Sequence, residues 1–438
     1  MPNPFLPLWE YVPDGEPRVF GDRVYLYGSH DVPASTDFCD YKLKVWSAPL
    51  SNLNAWQCHG DSFHTRDDRD HPSDTIEWTE ERLYAPDVVE KDGKYYLFTY
   101  IFNSQGCVSV SKRPEGPFSL IGKYDYAPED AGDNGIYNDP SVLIDGDKAY
   151  IYYGYTRAFF NELNFDNLCE IKKGSLIRDL IPQGDAPTDY YEASSLRKIG
   201  DKYYYIYSPR WGSRLDYAIS DSPRGPFKRM GTIIDNAKDY PGGNNHGSLC
   251  NLNGQWYIFY HRMTNCTVMS RRACVERVEI LPDGTIPQVE MTSLGFEESL
   301  NPYEIIPAEI ACVLKGGCFI TEKDVLTRVI TGIRSGAVIG YKYFDFGDDF
   351  SSDTMLLAMK ITGCGCRTTV RVCIDSEDGE ELGFCEIDTH DGIYRTPVKA
   401  VTGVHAVYFE ITHGYTGWFA NAFKDRNLFE LEAFTFLK

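Results

Sequence analysis

One motif dominates the alternation of apolar and polar positions along the chain. A turn carrying glycine leads into a strand rich in tyrosine and β-branched residues, and the pair recurs five times. The copies are G-D-R-V-Y-L-Y-G-S from Gly21, G-K-Y-Y-L-F-T-Y from Gly93, G-D-K-A-Y-I-Y-Y-G from Gly146, G-D-K-Y-Y-Y-I-Y-S from Gly200 and G-Q-W-Y-I-F-Y-H from Gly254. Each reads as a hairpin turn feeding a half-buried strand. From Gly93 through Gly146 and Gly200 to Gly254 the intervals are 53, 54 and 54 residues, enough for a four-stranded sheet with its loops. The first interval, 72 residues, is longer, and an insertion around His71–Arg82 accounts for the excess. A second element recurs with the first: S-V-S-K-R-P-E-G-P-F ends at Phe118 and A-I-S-D-S-P-R-G-P-F at Phe227, about two periods apart. Whole units therefore repeat. The pattern predicts an all-β chain with a five-bladed β-propeller over residues 1–297.

After Met291–Phe296 the period stops at N-P-Y-E-I-I-P-A-E-I, a proline-punctuated linker candidate. Alternating segments at Ala337–Phe346, Thr368–Ile374 and His405–Thr412 follow, and they predict an antiparallel β-sandwich over residues 298–438.

Six to eight residues before each turn glycine stands a polar side chain: Asp14, Asp87, Asp139, Glu192 and His246. The innermost strands of a propeller line its axis, so these five residues are expected to converge at one mouth of the channel. Crowded carboxylates repel and are partly desolvated, which raises at least one pKa. Capping of strand starts by Asp explains any one of them alone, but not all five in register. Carboxylates in different protonation states are what glycosidic hydrolysis needs: an acid to protonate the leaving oxygen and an ionised partner to activate water or attack. Trp9, Trp78 and Trp211 lie near the expected mouth and would stack on sugar rings, or simply pack.

Composition narrows the choice. The chain has 438 residues, 43 Lys+Arg against 64 Asp+Glu, and a net charge of −21, which argues against nucleic-acid and anionic-membrane partners. Aromatics make up 14% of the chain, with 31 Tyr, as expected for a β-rich, sugar-facing protein. The 13 Cys form no C-x-x-C pairs and read as structural thiols. The first residues, M-P-N-P-F-L-P-L-W-E, lack the basic and apolar regions of an export signal, and no apolar run is long enough to span a membrane. The expectation is a soluble, cytoplasmic protein.

The stretches that carry these residues resemble glycoside hydrolase family 43, which includes β-xylosidases and α-L-arabinofuranosidases. They are Tyr11–Asp22, Leu83–Val89, Asn138–Gly146, Tyr191–Lys198 and His246–Leu249. The resemblance implies Asp14 as general base, Asp139 as the residue that raises and orients the acid, Glu192 as general acid, and inversion at the anomeric carbon. It places Arg271 on the substrate and His246 near the axis, and with Asp87 of the ring and Trp211 at the mouth these are the expected substrate-binding residues. The family pattern has Asp-Pro at the base; here Gly15 follows Asp14 and the proline follows Glu16, so Glu16 stands as the alternative base. Of the adjacent Arg271 and Arg272 only one faces inward on a strand, and Arg271 is the choice. The family implies no required cofactor, but a calcium ion at the axis near His246, held through water; a histidine bonded to the channel carboxylates is the other reading. The C-terminal strands resemble a family 6 carbohydrate-binding module, with Trp418 the only tryptophan there. The expected partner is an arabinose- or xylose-containing oligosaccharide, cleaved in exo fashion. Glycoside phosphorylases, fructosidases and non-catalytic glycan-binding propellers are the alternatives. Oligomeric state is not encoded in these features.

Overall fold

The computed structural model describes every residue except 67–75, 77–78, 103–105, 124–136 and 183–185. The long insertion expected around His71–Arg82 falls largely outside the described residues, as does Trp78. Strand follows strand; among the described residues a single α-helix, Trp418–Phe423, interrupts them, with one 3-10 turn at Ala308–Ile310.

Up to Val278 the strands form five antiparallel sheets, each built in chain order. Their first strands are Glu16–Phe20, Leu83–Lys91, Ser141–Asp145, Tyr190–Ile199 and Ser248–Leu252. Four of the sheets have four strands and the last has three. The repeated motif is the turn into the second strand of each sheet. Its glycines, Gly21, Gly93, Gly146, Gly200 and Gly254, take φ between 60° and 92°, a region open to glycine at little cost. The recurring G-P-F elements tie neighbouring sheets in the same way. Phe118 N–H donates to the Ser62 carbonyl (2.9 Å) and Phe227 N–H to the Leu180 carbonyl (3.0 Å). The Tyr27 and Tyr152 hydroxyls donate to the carbonyls of Pro114 and Pro223 at 2.6 and 2.7 Å.

The first strands touch in a cycle: each meets the next, and Ser248–Leu252 returns to Glu16–Phe20. The start of the chain joins that closure. Phe5 N–H donates to the Ala273 carbonyl (3.2 Å), and Val275 N–H donates to the Asn3 side-chain oxygen (2.9 Å). The N-terminal segment thus lies along the three-stranded last sheet.

Residues beyond 297 build two further antiparallel sheets of five and six strands. Their facing residues share an aromatic core, with Phe434 set 5.0 Å from Phe409 and 4.8 Å from Tyr341, ring centre to ring centre. That core runs without a break into the fourth and fifth sheets through Tyr204, Leu215 and Ile258. The proline-punctuated segment expected as a linker is built in: Ile306–Pro307 pairs with Phe429–Leu437, and Glu309 and Ile310 are buried. Two prolines break periodicity without loosening the chain, because the segment still has apolar side chains to bury.

Candidate active site

Four of the five expected residues meet. Asp14, Asp139, Glu192 and His246 line one cavity of about 110 Å3, together with Arg271. Tyr84, Phe38, Asn138 and Asn244 complete the wall. Each acidic residue sits where an inner strand begins, on or beside backbone that few residues adopt. Asp14 and Asp139 have φ of 57° and 50°, as does Ala193, beside Glu192, at 66°. Left-handed non-glycine residues grouped around one cavity are held there by their surroundings at some expense in stability.

Asp87 is the exception, and the ring of five is corrected to four. Its carboxylate takes both Nε and Nη2 of Arg18 at 2.9 and 2.6 Å, and the Val142 N–H at 2.7 Å. It is fully buried between first strands and does not face the cavity. The register shifts between Tyr84 and Asp87, so Tyr84 faces the pit and the carboxylate turns to the neighbouring sheet, as a slip in strand register requires. Glu16 is excluded from the pit as well: it is buried and accepts from Arg197 at 2.5 Å. Of the two candidate bases, Asp14 is the one at the cavity.

Arg271 and Arg272 do face opposite ways. Arg271 Nη1 donates to Asp14 at 2.9 Å, while its Nε and Nη2 hold Asp31 at 2.9 Å each. Arg272 turns to the Tyr11 hydroxyl (3.0 Å) on the far side. The second oxygen of Asp14 accepts from the Ser29 hydroxyl at 2.7 Å, and Ser29 in turn accepts the Ala85 N–H at 2.7 Å. Asp14 N–H donates to Nδ1 of His261 (3.2 Å), whose Nε2 therefore carries the proton and donates to the Asn244 carbonyl (3.1 Å). Sequence reasoning missed Asp31, Ser29 and His261.

These contacts divide the carboxyl groups. Burial pushes the Asp14 carboxyl up, but the Arg271 guanidinium above all, with His246 and the Ser29 hydroxyl, outweighs it and holds it below the ordinary value. Burial and then the charge on Asp14 push Glu192 up to about 7. Asp139 is also pushed up to about 7, by burial and by the like charges of Glu192 and Asp14, against the pull of His246. Burial and the nearby Arg271 lower His261 to about 3, so it is neutral. His246 places Nδ1 3.8 Å from Asp14 and 3.8 Å from Asp139, while its buried Nε2 has no hydrogen-bond partner among the described residues. Trp211 and Trp9 are exposed and outside the pit; Trp211 flanks an adjoining chamber.

An ionised carboxylate and a protonated one on the wall of a single small pit define a carboxylate-pair glycosidase. The chain belongs to glycosyl hydrolases family 43, whose profile matches residues 2–286. It is 36% identical, over 93% of its own length and 95% of the relative's, to a xylosidase/arabinosidase of Thermoclostridium stercorarium. Its fold matches a family 43 arabinoxylan arabinofuranohydrolase of Bacillus subtilis, solved with cellotetraose, over 100% of this chain and 97% of that one at 23% identity (TM-score 0.56). A β-xylosidase/α-arabinofuranosidase from a compost metagenome, solved with xylotriose in a calcium-free form, covers 66% of this chain and 99% of its own at 25% identity (TM-score 0.55).

Proposed function

We propose that this glycosidase removes single xylosyl or arabinofuranosyl units from the ends of short oligosaccharides, with inversion of configuration. The observation that carries the reading is the opposite pull on Asp14 and Glu192 across one cavity. A pit of about 110 Å3 has room for about one small sugar ring, which favours exo cleavage. The name xylosidase/arabinosidase borne by a relative that is 36% identical supports the choice of sugar.

Asp14, held ionised by Arg271, takes a proton from the attacking water as the water meets the anomeric carbon. Glu192, protonated near neutral pH, gives its proton to the departing oxygen. General acid and base assistance of this kind contributes about 10²–10⁴-fold each. Asp139 fixes the backbone beside Glu192 through the Ala193 N–H (2.8 Å) and is a positioning residue. The five sheets, closed through their first strands, read as the blades of a propeller. The two C-terminal sheets read as a sandwich whose shared core braces blades four and five.

Among the described residues no group of three or more His, Cys, Asp or Glu side chains is arranged to ligate a metal directly. The unpartnered Nε2 of His246 does fit a hard cation reached through water. Such an ion would add positive charge behind the carboxylates, and His246 would orient its water.

Nitrophenyl α-L-arabinofuranoside and β-xyloside, with xylo- and arabinoxylo-oligosaccharides, test the reading, the product anomer being followed by NMR. Monosaccharide release with inversion, abolished in Glu192→Ala, is expected. Binding without turnover, turnover that needs inorganic phosphate, or full activity of Glu192→Ala each overturns it.

A further inference from the structure

Glu192 forms a wall shared by two cavities. Beyond the catalytic pit lies a second chamber of about 390 Å3, lined by Glu192, Asn244, Tyr191, Arg210, Asn245 and Gly243 among others. A general acid must touch the glycosidic oxygen, so a chamber that it shares with the pit holds what lies across that oxygen, the leaving group.

One lining residue stands apart. Arg210 makes no side-chain hydrogen bond or ion pair among the described residues, and its Nε is buried without a partner. Among the described residues no carboxylate neutralises this guanidinium, although the chain carries 64 acidic residues against 43 basic ones. Its neighbour Arg214 also has a buried Nε without a hydrogen bond, but that Nε lies 3.4 Å from the Asp216 carboxylate and its Nη2 donates to the Pro187 carbonyl. The backbone under Arg210 is fixed: its N–H donates to the Asp189 carbonyl at 2.8 Å, and Trp211 N–H to the Pro187 carbonyl at 3.2 Å. The carboxylate of Asp189 is engaged elsewhere, accepting the Ala186 N–H at 3.1 Å. The next residue, Trp211, is 62% exposed, a flat apolar face of the kind sugar rings stack on.

We propose that this chamber is a leaving-group subsite for an acidic sugar, with Arg210 binding the carboxylate of a uronic acid unit on the retained oligosaccharide. A planar fork of donors matches a carboxylate in a bidentate way that a neutral hydroxyl cannot reproduce. The proposal rests on the glycosidase reading above and adds a preference to it.

The test compares a neutral xylo-oligosaccharide with one of equal length bearing a uronic acid on the leaving-group side, for the full chain and for Arg210→Gln. The wild type is expected to show the lower KM on the acidic substrate. Arg210→Gln should raise that KM by about 10- to 100-fold, the scale of one charge-assisted hydrogen bond. Its kcat, and both constants on the neutral substrate, should stay within about twofold, and Arg210→Lys should recover part of the loss. Retained neutral turnover shows that the variant folds. Equal effects on both substrates, or no acidic preference in the wild type, overturn the proposal. Calorimetric titration with the acidic oligosaccharide separates the two readings: should neither substrate turn over, Arg210-dependent binding still upholds the subsite and its absence rejects it.

Discussion

The carboxylate of Asp139 accepts the backbone N–H of Ala193 at 2.8 Å, so it grips the residue after the acid and not the acid itself. Ala193 has a φ of 66°, and strand register shifts on both sides of Glu192. The direction in which Glu192 projects depends on that one bulge, and Asp139 holds it from the neighbouring sheet. Asp139→Asn keeps an acceptor for the amide and Asp139→Ala removes it. The expected outcome is that kcat falls about tenfold further in the Ala variant than in the Asn variant, the scale of one buried hydrogen bond. Equal losses in the two variants would assign the effect to charge alone.

The rate should follow a bell in pH. Its alkaline limb belongs to Glu192, whose pKa is about 7, and its acid limb to Asp14, below the ordinary carboxylate value. Ser29→Ala deletes one of the contacts that hold Asp14 down. Its acid limb should move to higher pH while the alkaline limb stays in place, as read from kcat/KM. Movement of both limbs would mean that Ser29 acts on more than Asp14.

Asp87 is expected to matter for stability and not for turnover. Asp87→Ala leaves Arg18 without its partner and two amides, Val88 and Val142, without their acceptor. Breaking a buried pair by removing one member costs about 3–5 kcal/mol. The denaturation midpoint should drop accordingly, with KM unchanged in the folded fraction. A selective rise in KM would restore Asp87 to the substrate site.

The positions of the site residues were largely legible from the repeat. The turn glycines fixed a frame, and counting back from Gly21, Gly146, Gly200 and Gly254 reached Asp14, Asp139, Glu192 and His246. Asp87 stood one residue closer to its glycine than Asp14 or Asp139 to theirs, and the bulge after Tyr84 made that difference decisive. Ser29, Asp31 and His261 lie past the glycines, outside the frame that the starts of the first strands define. An antiparallel hairpin returns the chain to its starting end, so polar residues seven or more positions past the glycine reach the same mouth. His261 was already the last letter of the fifth copy. The built-in segment at Ile306–Ile310 was illegible for another reason: proline marks broken periodicity, and only packing decides whether the break is loose.

Stability itself should depend on pH. Glu276 and Glu309 are buried and pushed up to about 7, as are Asp139 and Glu192. Unfolded, these groups lose their protons near the ordinary 3.8 to 4.5, whereas the folded chain keeps them until about 7. Across that window the unfolded state binds fewer protons, so stability is full below it and falls as pH rises toward 7. Glu309→Gln, outside the pit, should flatten the fall between pH 5 and 7 in denaturant titrations. A slope identical to that of the wild type would show that Glu309 is charged in the folded chain.

The N-terminal residues lie along the last of the five sheets, and Arg271, from that sheet, reaches back to Asp14. No fragment that stops short of the fifth sheet therefore contains a working centre. A ribosome must deliver the strand at Arg271 before the first carboxylate acquires its counter-ion, and proteolytic loss of the leading residues would unlatch the same seam. Catalysis therefore reports on whether the first and fifth sheets have met.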